Sequence, residues 1–259
     1  MRAAAIEHLG LRSLQAVAHL GRLAQFVGLL LLHAVRRPFR VRRLVNEIFD
    51  VGVLSLVIVA LSGATVGAVL GLQGYTTLSR FGAENSLGSV VGLVLVRELG
   101  PVLTALLVTG RAGSAMAAEI ASMVTTQQLD GLRMMSIDPI DFVVAPKAVA
   151  MLLVMPMLNA LFIGFALFGG YLVGVALLGL EGGTYVTSME QSIDFPNDVA
   201  GTLLKSTIFG ALVGVIATYR GMVSEPTSAG VSAATTGTVV IASVSILVAD
   251  YVITALWGI

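Results

Sequence analysis

Five long apolar stretches leave this chain few ways to fold. The run from Val51 to Ser79 contains no charged residue, and neither does the run from Ala148 to Leu180. Each is long enough for a helix through the roughly 30 Å hydrocarbon layer, which takes about 20 residues. Leu87 to Ala118, Val199 to Tyr219 and Thr236 to Trp257 are also long enough, but each carries embedded charge. With 56% hydrophobic and 12% charged residues, and a mean hydropathy of +0.94, the chain is too apolar for a soluble domain. The expectation is an all-α membrane protein with five transmembrane helices, at about 50–76, 87–117, 147–179, 199–219 and 236–257. The earlier apolar run Leu23 to Leu32 has only about half the required length.

The basic residues set an orientation. Arg2, Arg12, Arg22, Arg36, Arg37, Arg40, Arg42 and Arg43 precede the first span; Arg111, Arg133 and Lys147 flank the second loop, and Arg220 opens the fourth. The first and third loops hold one basic residue, Arg80, against Glu84, Glu181, Glu190, Asp194 and Asp198. The positive-inside rule then puts the N-terminus in the cytoplasm and the C-terminus outside. Residues 1–45 read as an amphipathic interfacial segment, with Leu9, Leu20, Leu23 and Phe26 among spaced arginines and Pro38 ending its helix. Ala34-Val35-Arg36-Arg37-Pro38 is no small-residue cleavage site, which argues against a signal peptide. The membrane domain is then 46–259.

Charges inside the spans carry the functional signal. Arg97 and Glu98 lie about 16 Å from the outer start of the second span, Lys205 about 10 Å into the fourth, and Asp250 about 14 Å below the C-terminus, at about 1.5 Å per residue. Ionisable groups at such depth face a bundle interior or a polar cavity and mark a substrate or ion path. Neighbours on a helix point about 100° apart, so Arg97 and Glu98 are free to find separate partners. Glu98 with Lys205 and Arg97 with Asp250 are the expected pairs. Pro101 is expected to open the helix and free a carbonyl, which is tolerated where backbone lines protein or a cavity. Structural ion pairing and contact with a polar headgroup are both open readings.

The remaining chemistry is narrow. No cysteine is present, and His8, His19 and His33 all precede the first span, so no intramembrane histidine serves a metal or a catalytic dyad. Gly201-Thr202-Leu203-Leu204-Lys205 lacks the glycine before lysine and the preceding strand of a phosphate loop. ATP energy, if used, comes from another subunit. Glycines at four-residue spacing (Gly63, Gly67 and Gly71; Gly88 and Gly92; Gly170 and Gly174; Gly210 and Gly214) read as close-packed helix faces. Residues 118–136 mix Glu119, Met123, Gln127, Asp130 and Met134 in a short amphipathic helix. It either rests on the membrane surface or docks on a partner through adaptable methionines. Leu180 to Pro196 is read as either a short outer helix or a solvated loop.

Three groups of residues resemble the MlaE/YrbE family of ABC-transporter permeases: Val96-Arg97-Glu98-Leu99-Gly100-Pro101-Val102, Gly110-Arg111-Ala112-Gly113-Ser114-Ala115 with Ala118-Glu119-Ile120, and Gln127-Gln128-Leu129-Asp130 followed by Met134, Met135 and Ile137-Asp138-Pro139. Gly71-Leu72-Gln73-Gly74-Tyr75 and Pro226-Thr227-Ser228-Ala229-Gly230-Val231 extend the likeness over nearly the whole chain beyond residue 45. The resemblance implies a non-catalytic permease subunit of the bacterial inner membrane, working as a homodimer. It implies a cytoplasmic ATPase subunit (MlaF-like) that binds ATP and Mg, a STAS-domain subunit (MlaB-like) and a periplasmic MCE-domain ring (MlaD-like). The cargo it implies is phospholipid exchanged with a periplasmic carrier, preserving outer-membrane lipid asymmetry. By position, Arg97, Glu98 and Lys205 would line the lipid cavity, with Leu70, Leu99, Tyr75 and Asp250 beside them. Glu119, Met123, Gln127, Asp130 and Met134 would meet the ATPase through a coupling helix at about 118–136, and a short periplasmic helix is implied as well. The implied set contains no catalytic residue, no metal and no nucleic acid. The competing class is an ion-coupled secondary transporter using Glu98 and Asp250.

Overall fold

The computed structural model describes Ala18, residues 21–32 and residues 41–257; the expectations placed on Leu9, Leu20 and Pro38 lie outside them. The described residues are almost wholly helical. The elements are α1 (Gly21–Leu32), α2 (Val41–Phe81), α3 (Glu84–Thr125), α4 (Gln128–Met134), α5 (Ile140–Leu177), α6 (Gly182–Ser192), α7 (Phe195–Met222) and α8 (Ser228–Trp257). Five of these, α2, α3, α5, α7 and α8, are long and apolar enough to cross a membrane. Each rod runs past its apolar run, because polar residues at the ends continue the helix into the interface.

α5 occupies the middle, packed against α2 on one side and α7 on the other, while α3 lies against α7, α8 and α6. Phe162 of α5, Phe209 of α7 and Leu87 and Leu95 of α3 are fully buried in the shared core. Small residues permit the approach. A Cβ added at Gly67 would overlap the Ala166 carbonyl, and one at Gly169 would overlap that of Ala64. Without a hydrophobic drive between helices in lipid, such contacts supply much of the packing. The turn joining α2 to α3 uses Gly82 at φ 63°, a left-handed conformation cheap only for glycine.

α1 packs across the start of α5 and the end of α7. Its Phe26 and Leu30 are buried with Val144, Ala145 and Ala148, and Phe26 meets the edge of Tyr219 at 5.3 Å. At the opposite end α6 covers the start of α3, where the Ser89 hydroxyl donates to the Ser188 carbonyl at 2.7 Å. Tyr185 of α6 is buried edge-on to Tyr171, and that burial pushes its phenol up to about 12.

Two details differ from the sequence reading. The helix expected at 118–136 is divided: α3 continues to Thr125, and α4 starts at Gln128. Gln127 between them is left-handed, with φ 57°. This reversal turns α4 back so that Leu129 is buried, at a cost of order 1–3 kcal/mol for a non-glycine residue in that region. Second, α3 contains wide turns of π-helical hydrogen bonding at Leu95–Leu99 and Thr109–Gly113. The first ends just before Pro101, which has no N–H to give the carbonyl four residues earlier.

Candidate functional site

The carbonyl that Pro101 leaves without its helical donor belongs to Arg97. Lys205 of α7 takes the place of the missing amide, donating to Arg97 O at 2.8 Å. The same ammonium donates to Glu98 Oε1 at 3.0 Å and to the Thr254 hydroxyl at 2.8 Å, and lies 3.2 Å from Asp250 Oδ1. Thr254 in turn donates to Glu98 Oε1 at 3.2 Å. An ammonium has three protons, and Asp250 Oδ1 is left with charge contact but no hydrogen bond. Lys205 therefore ties the bent part of α3 to α8.

Arg97 points elsewhere. Its Nε lies 2.9 Å from Asp198 Oδ1, and its Nη2 donates to Asp198 Oδ2 at 3.2 Å. Asp198 Oδ2 also accepts the Asp194 N–H at 2.9 Å, in the first turn of α7. The expected Arg97–Asp250 pair is thus replaced by Arg97–Asp198 and Lys205–Asp250, while the expected Glu98–Lys205 pair forms. Asp198 reads in sequence as one more acid in a polar loop. The signal was its spacing: it precedes Lys205 by about two helical turns and so shares its face. Thr254, one turn after Asp250, was missed for the same reason.

Access divides the cluster into front and back. The Lys205 and Asp198 side chains are 7% and 1% exposed, those of Glu98 and Arg97 38% and 34%. The gap among Arg97, Asp198, Thr202, Lys205 and Thr254 holds about 10 Å³, barely one water. Arg97 and Glu98 are therefore the accessible members of the cluster, with Lys205 and Asp198 behind them. Leu70, Leu99 and Tyr75 lie half-buried against the main core rather than around this gap.

A second ionic junction sits at the other end of the spans. Lys147, 4% exposed, donates to Glu47 Oε2 at 2.9 Å and to Glu119 Oε2 at 2.7 Å, joining α2, α3 and α5. Glu119, expected to face an ATPase, is therefore engaged within the chain, although half of it is exposed. Nearby, Arg111 donates to the Asp50 carbonyl and to Ser55 Oγ, fastening the second wide turn of α3 to the bend in α2. Met123 is half-buried against the core, Gln127 is exposed, Asp130 pairs with Arg133 at 2.8 Å on the surface, and Met134 is 88% exposed.

Five crossing helices, a charged cluster at mid-span and an exposed methionine turn at one end agree with one family. The family model described as Permease MlaE matches residues 44–256. The chain belongs to the MlaE permease family. Among MlaE-family relatives, the intermembrane phospholipid transport system permease protein MlaE of Haemophilus influenzae is 47% identical over 213 residues, 82% of each chain. A probable ABC transporter permease of Rickettsia prowazekii is 41% identical, covering 92% of this chain and 95% of its own. The chloroplastic protein TRIGALACTOSYLDIACYLGLYCEROL 1 of Arabidopsis thaliana is 31% identical over 88% of this chain and 65% of its own length. This MlaE-family chain is accordingly a multi-pass inner-membrane protein and an ABC-transporter permease, a class that implies an ATPase partner.

Proposed function

We propose that this chain is the membrane subunit of an ABC transporter that moves phospholipid between the inner membrane and a periplasmic carrier, maintaining outer-membrane lipid asymmetry. The observation that carries the reading is the Lys205 network. A lysine buried in a spanning helix holds Glu98 and the Arg97 carbonyl, while the Arg97 guanidinium pairs with Asp198, so that a partly exposed cation and a partly exposed anion sit at adjacent positions. That arrangement suits a headgroup bearing phosphate and ammonium. Arg97 and Glu98 contact the headgroup, Lys205, Asp198 and Asp250 position them, and Leu70, Leu99 and Tyr75 offer apolar surface to the chains.

In the proposed orientation the N-terminus and α4 are cytoplasmic, α1 lies in the inner interface, and α6 is periplasmic. Two copies assemble with two ATPase subunits (MlaF-like), STAS-domain subunits (MlaB-like) and an MCE-domain ring (MlaD-like). ATP and Mg bind the ATPase, and the chain itself carries no catalytic step. The turn with Met134, Gln127 and Asp130 docks on the ATPase. Glu119 and Lys147 brace that turn against α2 and α5, so ATPase closure is passed to the spanning helices.

Transport of labelled phospholipid to an acceptor, measured in proteoliposomes holding the assembled complex, tests the proposal. It should require ATP, and Arg97→Ala should slow it at least tenfold without disturbing assembly. Transfer that runs on a proton gradient without ATP would instead favour the ion-coupled carrier. Glu98 and Asp250, on which that carrier depends, both face Lys205 here.

A further inference from the structure

Beside α7 lies a cavity of about 550 Å³ bounded by α3, α5, α6 and α7. Its size falls in the ~300–1,000 Å³ range of sites that engulf small ligands. The walls are apolar, with Val96, Ile163, Leu167, Ile193 and Leu203 among them, and Glu190 is at the edge. Two buried polar residues, Asn159 and Thr202, interrupt them. Asn159, 1% exposed, donates from Nδ2 to the Thr202 hydroxyl at 3.1 Å, while its Oδ1 has no partner. A buried amide oxygen without a donor costs about 1–3 kcal/mol in general, and a group of this kind is commonly completed by a ligand or water. Thr202 lines both this cavity and the small gap beside Arg97 and Lys205, so the two spaces meet at one side chain.

We propose that this cavity is an acyl-chain site within a single subunit. One chain of a bilayer phospholipid lies along Ile163, Leu167 and Ile193, and a donor in the polar part of the same molecule reaches Asn159 Oδ1. The size of the cavity, its apolar walls and the single unmatched acceptor at the end nearest the charge cluster fit an amphiphile of this shape. An ammonium or glycerol hydroxyl supplies the missing proton, which a choline headgroup does not. The inference rests on the phospholipid reading above and adds a place for the chain.

Gly164 gives the test. It lines the cavity, and a Cβ built there meets nothing within 4 Å, so Gly164→Phe fills the space without pressing on the backbone. Ala160→Phe, on the same wall, is the second variant. The assembled complex is placed in nanodiscs of phosphatidylethanolamine and phosphatidylglycerol, with a phospholipid carrying a photoreactive acyl chain. Crosslinks are then mapped by mass spectrometry. In the unmodified chain they should fall on the peptide holding Ile163 and Leu167 and on Ile193. Both variants should reduce these at least fivefold while leaving crosslinks at the outward-facing Met157 and Phe168 unchanged. With photoreactive probes bearing an ethanolamine or a choline headgroup compared in these nanodiscs, the unmodified chain should favour the ethanolamine probe at the same peptides, and Asn159→Leu should abolish that preference. Undiminished crosslinking at Ile163, Leu167 and Ile193 in both variants, with normal melting, overturns the chain site. If the unmodified complex transports no phospholipid, the underlying functional reading fails instead.

Discussion

At the scale of residues, Lys205 is the group whose role extends furthest. Its ammonium answers a backbone carbonyl and two carboxylates from α3 and α8, so its charge cannot be traded pairwise with Glu98. Exchanging the two residues would set a carboxylate at 205 facing Arg97 O and Asp250, both negative in character. The double variant Glu98→Lys/Lys205→Glu is therefore expected to remain as defective as either single change in lipid transport. Full recovery in that assay would reduce the cluster to a simple ion pair. Lys205→Met should cost about 3 kcal/mol, the low end for breaking a buried pair because Glu98 keeps partial exposure. This reads as a fall in the detergent melting temperature of roughly 10 °C. The need for Glu98 and Lys205 to neutralise each other was legible from sequence, since charges within apolar runs must find partners there. The pairing of Asp198 with Arg97 was not legible, although its spacing from Lys205 puts both on one face. Asp198 lies at the polar start of its helix, and its tie to Arg97 depends on how α3 and α7 slide along each other, which no local pattern encodes.

Among elements, α2 and α5 show how far periodicity reaches. Their glycines at four-residue spacing announced a packed face, and the structure sets Gly63 against Phe162 and Gly67 against Ala166. Which helix would be the partner was not written in the spacing. Gly67→Ala is expected to destabilise by about 1–3 kcal/mol, because the methyl must push two backbones apart. Gly164→Ala, whose methyl meets open space, should be neutral or stabilising by up to about 1 kcal/mol. Melting both in the same detergent separates close approach from helix propensity, and equal behaviour would remove packing as the reason for the stripe. The divided turn at Gln127 escaped the sequence reading because its amphipathic pattern runs on through the break. A left-handed glutamine carries no compositional mark.

Across the whole molecule, the five crossings were legible because a hydrocarbon layer demands length and apolarity over any other signal. The proposed orientation follows from charge placed at the two ends. Arg111, Arg133, Lys147 and Arg220 gather at the α4 end; Glu84, Glu181, Glu190 and Asp194 at the α6 end. Because the chain has no cysteine, a single thiol introduced at Ser136 or at Ser192 is the only one in the protein. An impermeant maleimide applied to intact spheroplasts should label the thiol at 192 and spare the one at 136. The opposite pattern would invert the topology and move the ATPase contact away from α4. The contact between Lys205 and the carbonyl vacated by Pro101 has one further consequence. Straightening α3 at that point evicts the ammonium, and withdrawing the ammonium leaves a bare carbonyl in lipid. The shape of one helix and the placement of a buried charge are therefore fixed by the same contact.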